Sequence, residues 1–137
     1  MNKILELIQQ YDAVPSYRDK NGYEISFEAW KEWDTATDKI LETINELGHI
    51  EFWIPDITHT HGIATDVGTA MDLLRDYTSY HDVQWLLESA HGQYRCAIQI
   101  LDSPYAPMVE TISFSHAYLN LAIIGAITKH QERVKTK

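Results

Sequence analysis

Apolar and polar positions along the chain recur with two periods, and the switch between them marks the elements. In Asn2 to Gln10, Ile4, Leu5, Leu7 and Ile8 cover one helical face and Asn2 can cap the start. Tyr11 to Ile25 carries Pro15 and the Asn21-Gly22 dipeptide, both of whose residues tolerate positive φ. This predicts a small hairpin with arms near Val14–Arg18 and Tyr23–Ser26. Ser26 to Leu47 reads as a capped helix with the inward stripe Trp30, Trp33, Ile40, Leu41, Ile44 and Leu47, and Gly48 just past its end. His49 to Ile54, aromatic and β-branched, reads as a strand stopped by Pro55.

Pro55 to Ala64 is a loop rich in Thr, His and Gly. Thr65 or Asp66 then caps a helix to about Tyr77, with Val67, Ala70, Met71 and Leu74 inward. Val83 to Ala90 fits either period. The following run, Tyr94, Cys96, Ile98 and Ile100, is cleanly period two, so a two-strand hairpin around His91-Gly92 is preferred. Asp102 to Pro107 is a turn with two prolines. Ser115 to Gln131 reads as a helix apolar nearly all round, through Leu119, Leu121, Ala122, Ile123, Ile124, Ala126 and Ile127. Such a helix is either buried in the core or covered by another subunit, so a homo-oligomer is expected. The element order predicts an α+β fold: a three-layer α/β/α sandwich with a small antiparallel sheet and a long buried C-terminal helix. Residues 1–137 are expected to form one domain, with a helical extension over 1–50, the sandwich core over 51–128 and a basic tail over 129–137.

Composition narrows the function. Apolar residues make up 45% of the 137 and charged residues 23%, and the fifteen aromatics argue against disorder. The longest apolar run, Leu121 to Ile127, is too short to span a bilayer, and no signal peptide is read in the first residues, so no membrane role is expected. The single cysteine, Cys96, excludes an intrachain disulfide. A cytoplasmic protein is expected. Twenty acids face eleven bases, for a net charge of −9. The tail 129–137 holds four of the bases and one acid, so the remainder carries seven bases against nineteen acids, or −12. That charge disfavours direct nucleic-acid binding. It serves solubility first, docking of a basic protein second, and phosphate-backbone mimicry last, since no three acids are adjacent.

Residues 53 to 128 carry four features of a known pattern. Trp53-Ile54-Pro55 leads toward a helix that starts at Thr65-Asp66. The strand Tyr94-Arg95-Cys96-Ala97-Ile98 follows, and then a segment with Ala106 and Thr111 runs into the Ala-rich helix Ala117 to Ala126. In these the chain resembles the phage ABA-sandwich domain family, small proteins of phages and prophages with helices on both faces of an antiparallel sheet. The first 50 residues, and the stretch between Ala106 and the last helix, lie outside that pattern. The resemblance implies a phage source and a three-layer fold. It brings no general activity, and no functional residue transfers with it.

Candidate chemistry is sparse. His59-Thr60-His61 places two imidazoles on one side of an extended segment, able to share a divalent metal with Asp56 or Asp66. His81-Asp82 lacks the other elements of a phosphohydrolase. Cys96 sits mid-strand among apolar residues and reads as an inert packed thiol. No Gly-x-Ser-x-Gly, phosphate loop or dinucleotide fingerprint occurs. The best small-ligand set is Arg75, Tyr77, Tyr80, Trp85, Tyr94 and Arg95, in which rings would stack a base and guanidinium groups would fork a phosphate. Core and edge packing is the commoner role of such residues.

The leading expectation is a phage-encoded, non-enzymatic accessory protein. It would bind and inhibit or sequester a component of a host defence system, either a protein or a nucleotide signal, without a cofactor. The alternatives are a metal-dependent hydrolase using His59 and His61, and an immunity protein that neutralises a basic toxin.

Overall fold

The computed structural model describes residues 2–52, 62–101 and 108–135. In chain order the elements are α1 (Lys3–Ala13), α2 (Phe27–Glu51), α3 (Val67–Tyr80), β1 (Gln84–Ala90), β2 (Gln93–Leu101), β3 (Met108–His116) and α4 (Leu119–Lys135). The fold is α+β, with a three-stranded antiparallel sheet in the order β1-β2-β3 and the C-terminal helix packed against β2 and β3.

The helix starts follow from capping chemistry. The Asn2 side chain accepts from the Ile4 amide at 2.8 Å, Ser26 Oγ from Ala29 at 3.0 Å, and Asp66 Oδ1 from Gly68 at 2.9 Å. Each satisfies an amide that has no partner inside its helix, worth about 1 kcal/mol. The ends were harder to read. The helix that Gly48 was expected to end runs on to Glu51. Gly48 lies buried inside it, where a side chain would meet Ile63. Close packing, not termination, is the reason for this glycine. The strand expected over His49 to Ile54 is therefore helix at His49 to Glu51 and C-cap at Phe52, while Trp53 and Ile54 lie outside the described residues. Helix α3 also runs three residues beyond its expected end. Its inward side is Ala70, Leu73, Leu74, Tyr77 and Thr78, and Val67 is exposed.

Between α1 and α2 the Asn21-Gly22 turn forms, with Gly22 at φ +87°. The expected hairpin shrinks to the single bridge Arg18↔Glu24, because Asp19 takes the amides of Asn21 and Tyr23 onto its own carboxylate. The β1–β2 hairpin is regular. Ala90 pairs with Gln93, and His91 and Gly92 both take positive φ, the pattern of a type I′ turn. Strand β3 takes in Ser115 and His116, which were expected to begin the last helix, and α4 starts at Leu119.

Strand parity gives the sheet two unlike faces. Cys96 and Ile98, with Phe114 opposite Cys96, face α4, and Gly125 lets that helix approach the Phe114 ring closely. The other face carries Glu88, Arg95, Thr111 and Ser113. Helix α4 lies between the sheet and the remaining helices, touching α1 and α3 as well as β2 and β3. The layers thus run sheet, α4, outer helices. Residues Asn120 to Thr128 are all buried within one chain. The apolar girdle of α4 is covered by its own protein and needs no second subunit. Ile4, Leu7, Ile8, Leu41 and Ile44 share that core with Leu73, Ile98 and Ile124, so the first fifty residues help to build it. No helix among the described residues is long and apolar enough to cross a membrane.

Candidate functional site

The six residues expected to clamp a ligand do not converge. Tyr77 is fully buried, and its hydroxyl lies 2.7 Å from His130 Nδ1. Burial pushes the phenol well above its ordinary range, so the hydroxyl keeps its proton and donates to the imidazole. Trp85 pairs with Ile98 and Tyr94 with Ser89. Four strand positions, about 14 Å, therefore separate the two rings along one face of the sheet. Arg95 follows Tyr94 directly, so its side chain leaves from the opposite face, where it meets Glu88 at 3.2 Å. Tyr80 is exposed and stands edge-on to His81. Only Arg75 and Trp85 come together. They line a shallow groove of about 410 Å³ with Thr78, Ser79, Val83 and Gln84, and Arg75 is already paired with Asp72 one turn earlier.

His59 and His61 lie outside the described residues. Among the described residues no three His, Cys, Asp or Glu side chains gather as a metal site.

Two histidines take positions that sequence reasoning did not assign. His116 is buried at the end of β3, with Nε2 2.6 Å from Asp12 Oδ1, while its Nδ1 accepts the Tyr118 amide at 2.9 Å. An amide can only donate, so the neutral ring carries its proton on Nε2 and gives it to Asp12. Both nitrogens are then committed, which leaves no lone pair for a substrate proton. The arrangement ties the end of α1 to the start of α4. His130 is tied to Tyr77 in the same structural manner. Cys96 is fully buried, and burial pushes its thiol up to about 12, so it is a packed thiol and a poor nucleophile.

A group of exposed apolar side chains lies at the start of α2 and on the turn before it. All the buried residues of α2 lie at or beyond Thr37. Its first ten residues, about 15 Å of helix, project beyond the core. Phe27, at 69% exposure, stacks on Trp30 at 5.8 Å. Trp33, one turn further on, meets Tyr17 at 4.9 Å, with the Arg18 guanidinium over the other ring. The Tyr17 carbonyl accepts the amide of Ile25, itself 62% exposed, and Tyr23 is 72% exposed. A row of rings thus runs along the start of α2 and onto the preceding turn. The turn's own hydrogen bonds, Asp19 to Tyr23 and Arg18 Nη1 to the Gly22 carbonyl, hold it in place. Trp30 and Trp33 had been read as inward because a helical stripe ordinarily faces a core. The sequence clue that they protrude is the turn chemistry at 15–26, whose apolar surface is limited to Tyr17, Tyr23 and Ile25.

Comparison with known proteins gives no match among family models, curated proteins or solved structures.

Proposed function

We propose that this chain works by binding a protein partner through the aromatic row at the start of α2. One observation carries the reading: Tyr23, Ile25, Phe27 and Trp30 are exposed together within eight residues of sequence. Large apolar side chains grouped in this way lose free energy in water that a partner can recover, and rings on a helix end are rigid anchors. In sequence, residues 18–34 hold the acids Asp19, Glu24, Glu28, Glu32 and Asp34 against Arg18, Lys20 and Lys31. With an overall charge of −9, this favours a basic partner.

The biological setting of the proposal comes from the phage ABA-sandwich resemblance: a phage-encoded accessory protein that sequesters a component of host defence. A protein target is favoured over a nucleotide signal, because three of the six residues meant for a nucleotide (Tyr77, Tyr94 and Arg95) are buried, distant or on the wrong face, and Tyr80 does not line the groove that Arg75 and Trp85 share. Arg75, one of the remaining two, is held by Asp72. The toxin-immunity alternative uses the same acidic surface and differs only in the partner.

The test is a comparison of tagged wild-type chain and Trp30→Ala in lysate of infected host cells, followed by titration of the recovered protein in purified form. The expected result is one basic protein that binds the wild type and loses at least about tenfold in affinity for the variant. Equal binding by the variant, or metal-dependent turnover by the clean protein that is lost in His59→Ala, overturns the proposal.

A further inference from the structure

Four asparagines occur in the chain, and one of them is placed unlike the rest. The Asn2 side chain caps α1 through the Ile4 amide, Asn45 accepts the Ala64 amide at 2.7 Å from within α2, and the buried Asn120 donates to the Ile63 carbonyl at 2.8 Å. These three side chains are committed, and the residues that follow them are Lys3, Glu46 and Leu121. Asn21 is exposed, and among the described residues no hydrogen bond engages its side-chain amide. Gly22 follows it, at φ +87° and with nothing within 4 Å of where a Cβ would stand. The carbonyl carbon of an asparagine side chain can be attacked by the backbone nitrogen of the next residue. Glycine resists that attack least, because it has no Cβ and ranges widely over φ and ψ.

We propose that Asn21 is a site of spontaneous deamidation and isoaspartate formation, with Asp19 as the brake. The Gly22 nitrogen gives its proton to hydroxide and bonds to Cγ of Asn21. The Cγ–Nδ2 bond breaks, and ammonia leaves after taking a proton from water. Water then opens the five-membered imide at either carbonyl, which leaves aspartate or isoaspartate at this position. In the closed turn the attacking nitrogen is engaged, since the Gly22 amide donates to the Asp19 carbonyl at 3.0 Å. The Asp19 carboxylate adds two restraints, accepting the Asn21 amide at 2.8 Å and the Tyr23 amide at 3.1 Å. The turn must therefore open before the ring can close. That opening is local, because the flanking arms pair at the bridge Arg18↔Glu24 without forming a ladder. Isoaspartate carries the main chain through the former side chain and lengthens it by one methylene, so the span from the Asp19 carbonyl to the Gly22 amide no longer closes. Tyr23, whose amide and carbonyl both bond to Asp19, then loses its fixed place. This chemistry belongs to the turn itself and does not depend on the aromatic row's having a partner.

The test is prolonged incubation of the folded chain at pH 8 and physiological temperature, read by peptide-mapping mass spectrometry and by enzymatic methylation of isoaspartate. The expected result is a gain of one mass unit at residue 21, faster at higher pH, with residues 2, 45 and 120 unchanged. Asn21→Gln should abolish it, because ring closure from the longer side chain is far slower. Asp19→Ala should accelerate it at least about fivefold, the low end of what two hydrogen bonds hold closed, with circular dichroism verifying that the variant is folded. A synthetic peptide of residues 15–26 gives the rate of the open turn under the same conditions. A folded chain that keeps Asn21 intact while the peptide converts overturns the proposal. So does an Asp19→Ala chain that converts no faster than the wild type, because Asp19 would then not be what restrains ring closure.

Discussion

Gly125 of α4 lies against the ring of Phe114 on β3, so closely that a methyl group in place of its hydrogen would overlap three ring atoms. Phe114 cannot retreat, because it is held opposite Cys96 in the middle of the β2–β3 ladder. Gly125→Ala is expected to destabilise the protein by about 2 kcal/mol. Overpacking of about 3 kcal/mol is partly offset by about 1 kcal/mol of helix propensity. Urea denaturation gives the number, and Phe114→Leu in the same chain should recover most of it. Gly48→Ala makes a useful contrast. There the obstacle is the end of the flexible Ile63 side chain, which can turn aside, so the net cost should stay below about 1 kcal/mol.

Acid should weaken the fold through His81. Its ring stands 4.3 Å from Tyr77 and 5.4 Å from His130, and burial lowers its pKa from the ordinary 6.5. Between the lowered value and 6.5 the unfolded chain binds a proton that the folded chain refuses. Stability is therefore complete above that window and falls as pH drops through it. The melting temperature should decrease from pH 7.5 toward pH 5.5, and His81→Gln should flatten that part of the profile. An unchanged slope in the variant would remove His81 as the cause.

Cys96 should report global unfolding. With its thiol pushed up from 9.0 to about 12, it carries about a thousandfold less thiolate at pH 8 than an unperturbed cysteine. Its side chain is also fully covered. A thiol reagent should leave the native protein unlabelled and react quickly in denaturant, at a midpoint matching the loss of circular dichroism. Rapid labelling of the native state would contradict the burial described for β2.

Nearest-neighbour chemistry proved the most readable part of the chain. Asn2, Ser26 and Asp66 cap the helices they were expected to cap, since a side-chain oxygen two or three residues before a free amide acts locally. His91-Gly92 closes its hairpin for the same reason. The third strand was missed although Ile112 and Phe114 alternate with Thr111, Ser113 and Ser115. The stretch between Pro107 and Ser115 was assigned no element, and Ser115 and His116 were given to the helix. The candidate ligand set failed on geometry that spacing does not encode. Tyr94 and Arg95 are adjacent in sequence and on opposite faces in space, and the side of α3 that carries Tyr77 faces the core.

By its sequence alone this chain determined where its first three helices start, which turns need glycine or asparagine, and that the fold would mix helices with antiparallel strands around an apolar last helix. All of these depend on contacts a few residues apart. Only the tertiary structure decided that α4 is enclosed within its own chain, that Gly48 is a packing site and not a stop, and that two tryptophans of α2 stand beyond the core. Those outcomes depend on how far each element reaches past its neighbours, and length and docking angle arise only when the elements meet.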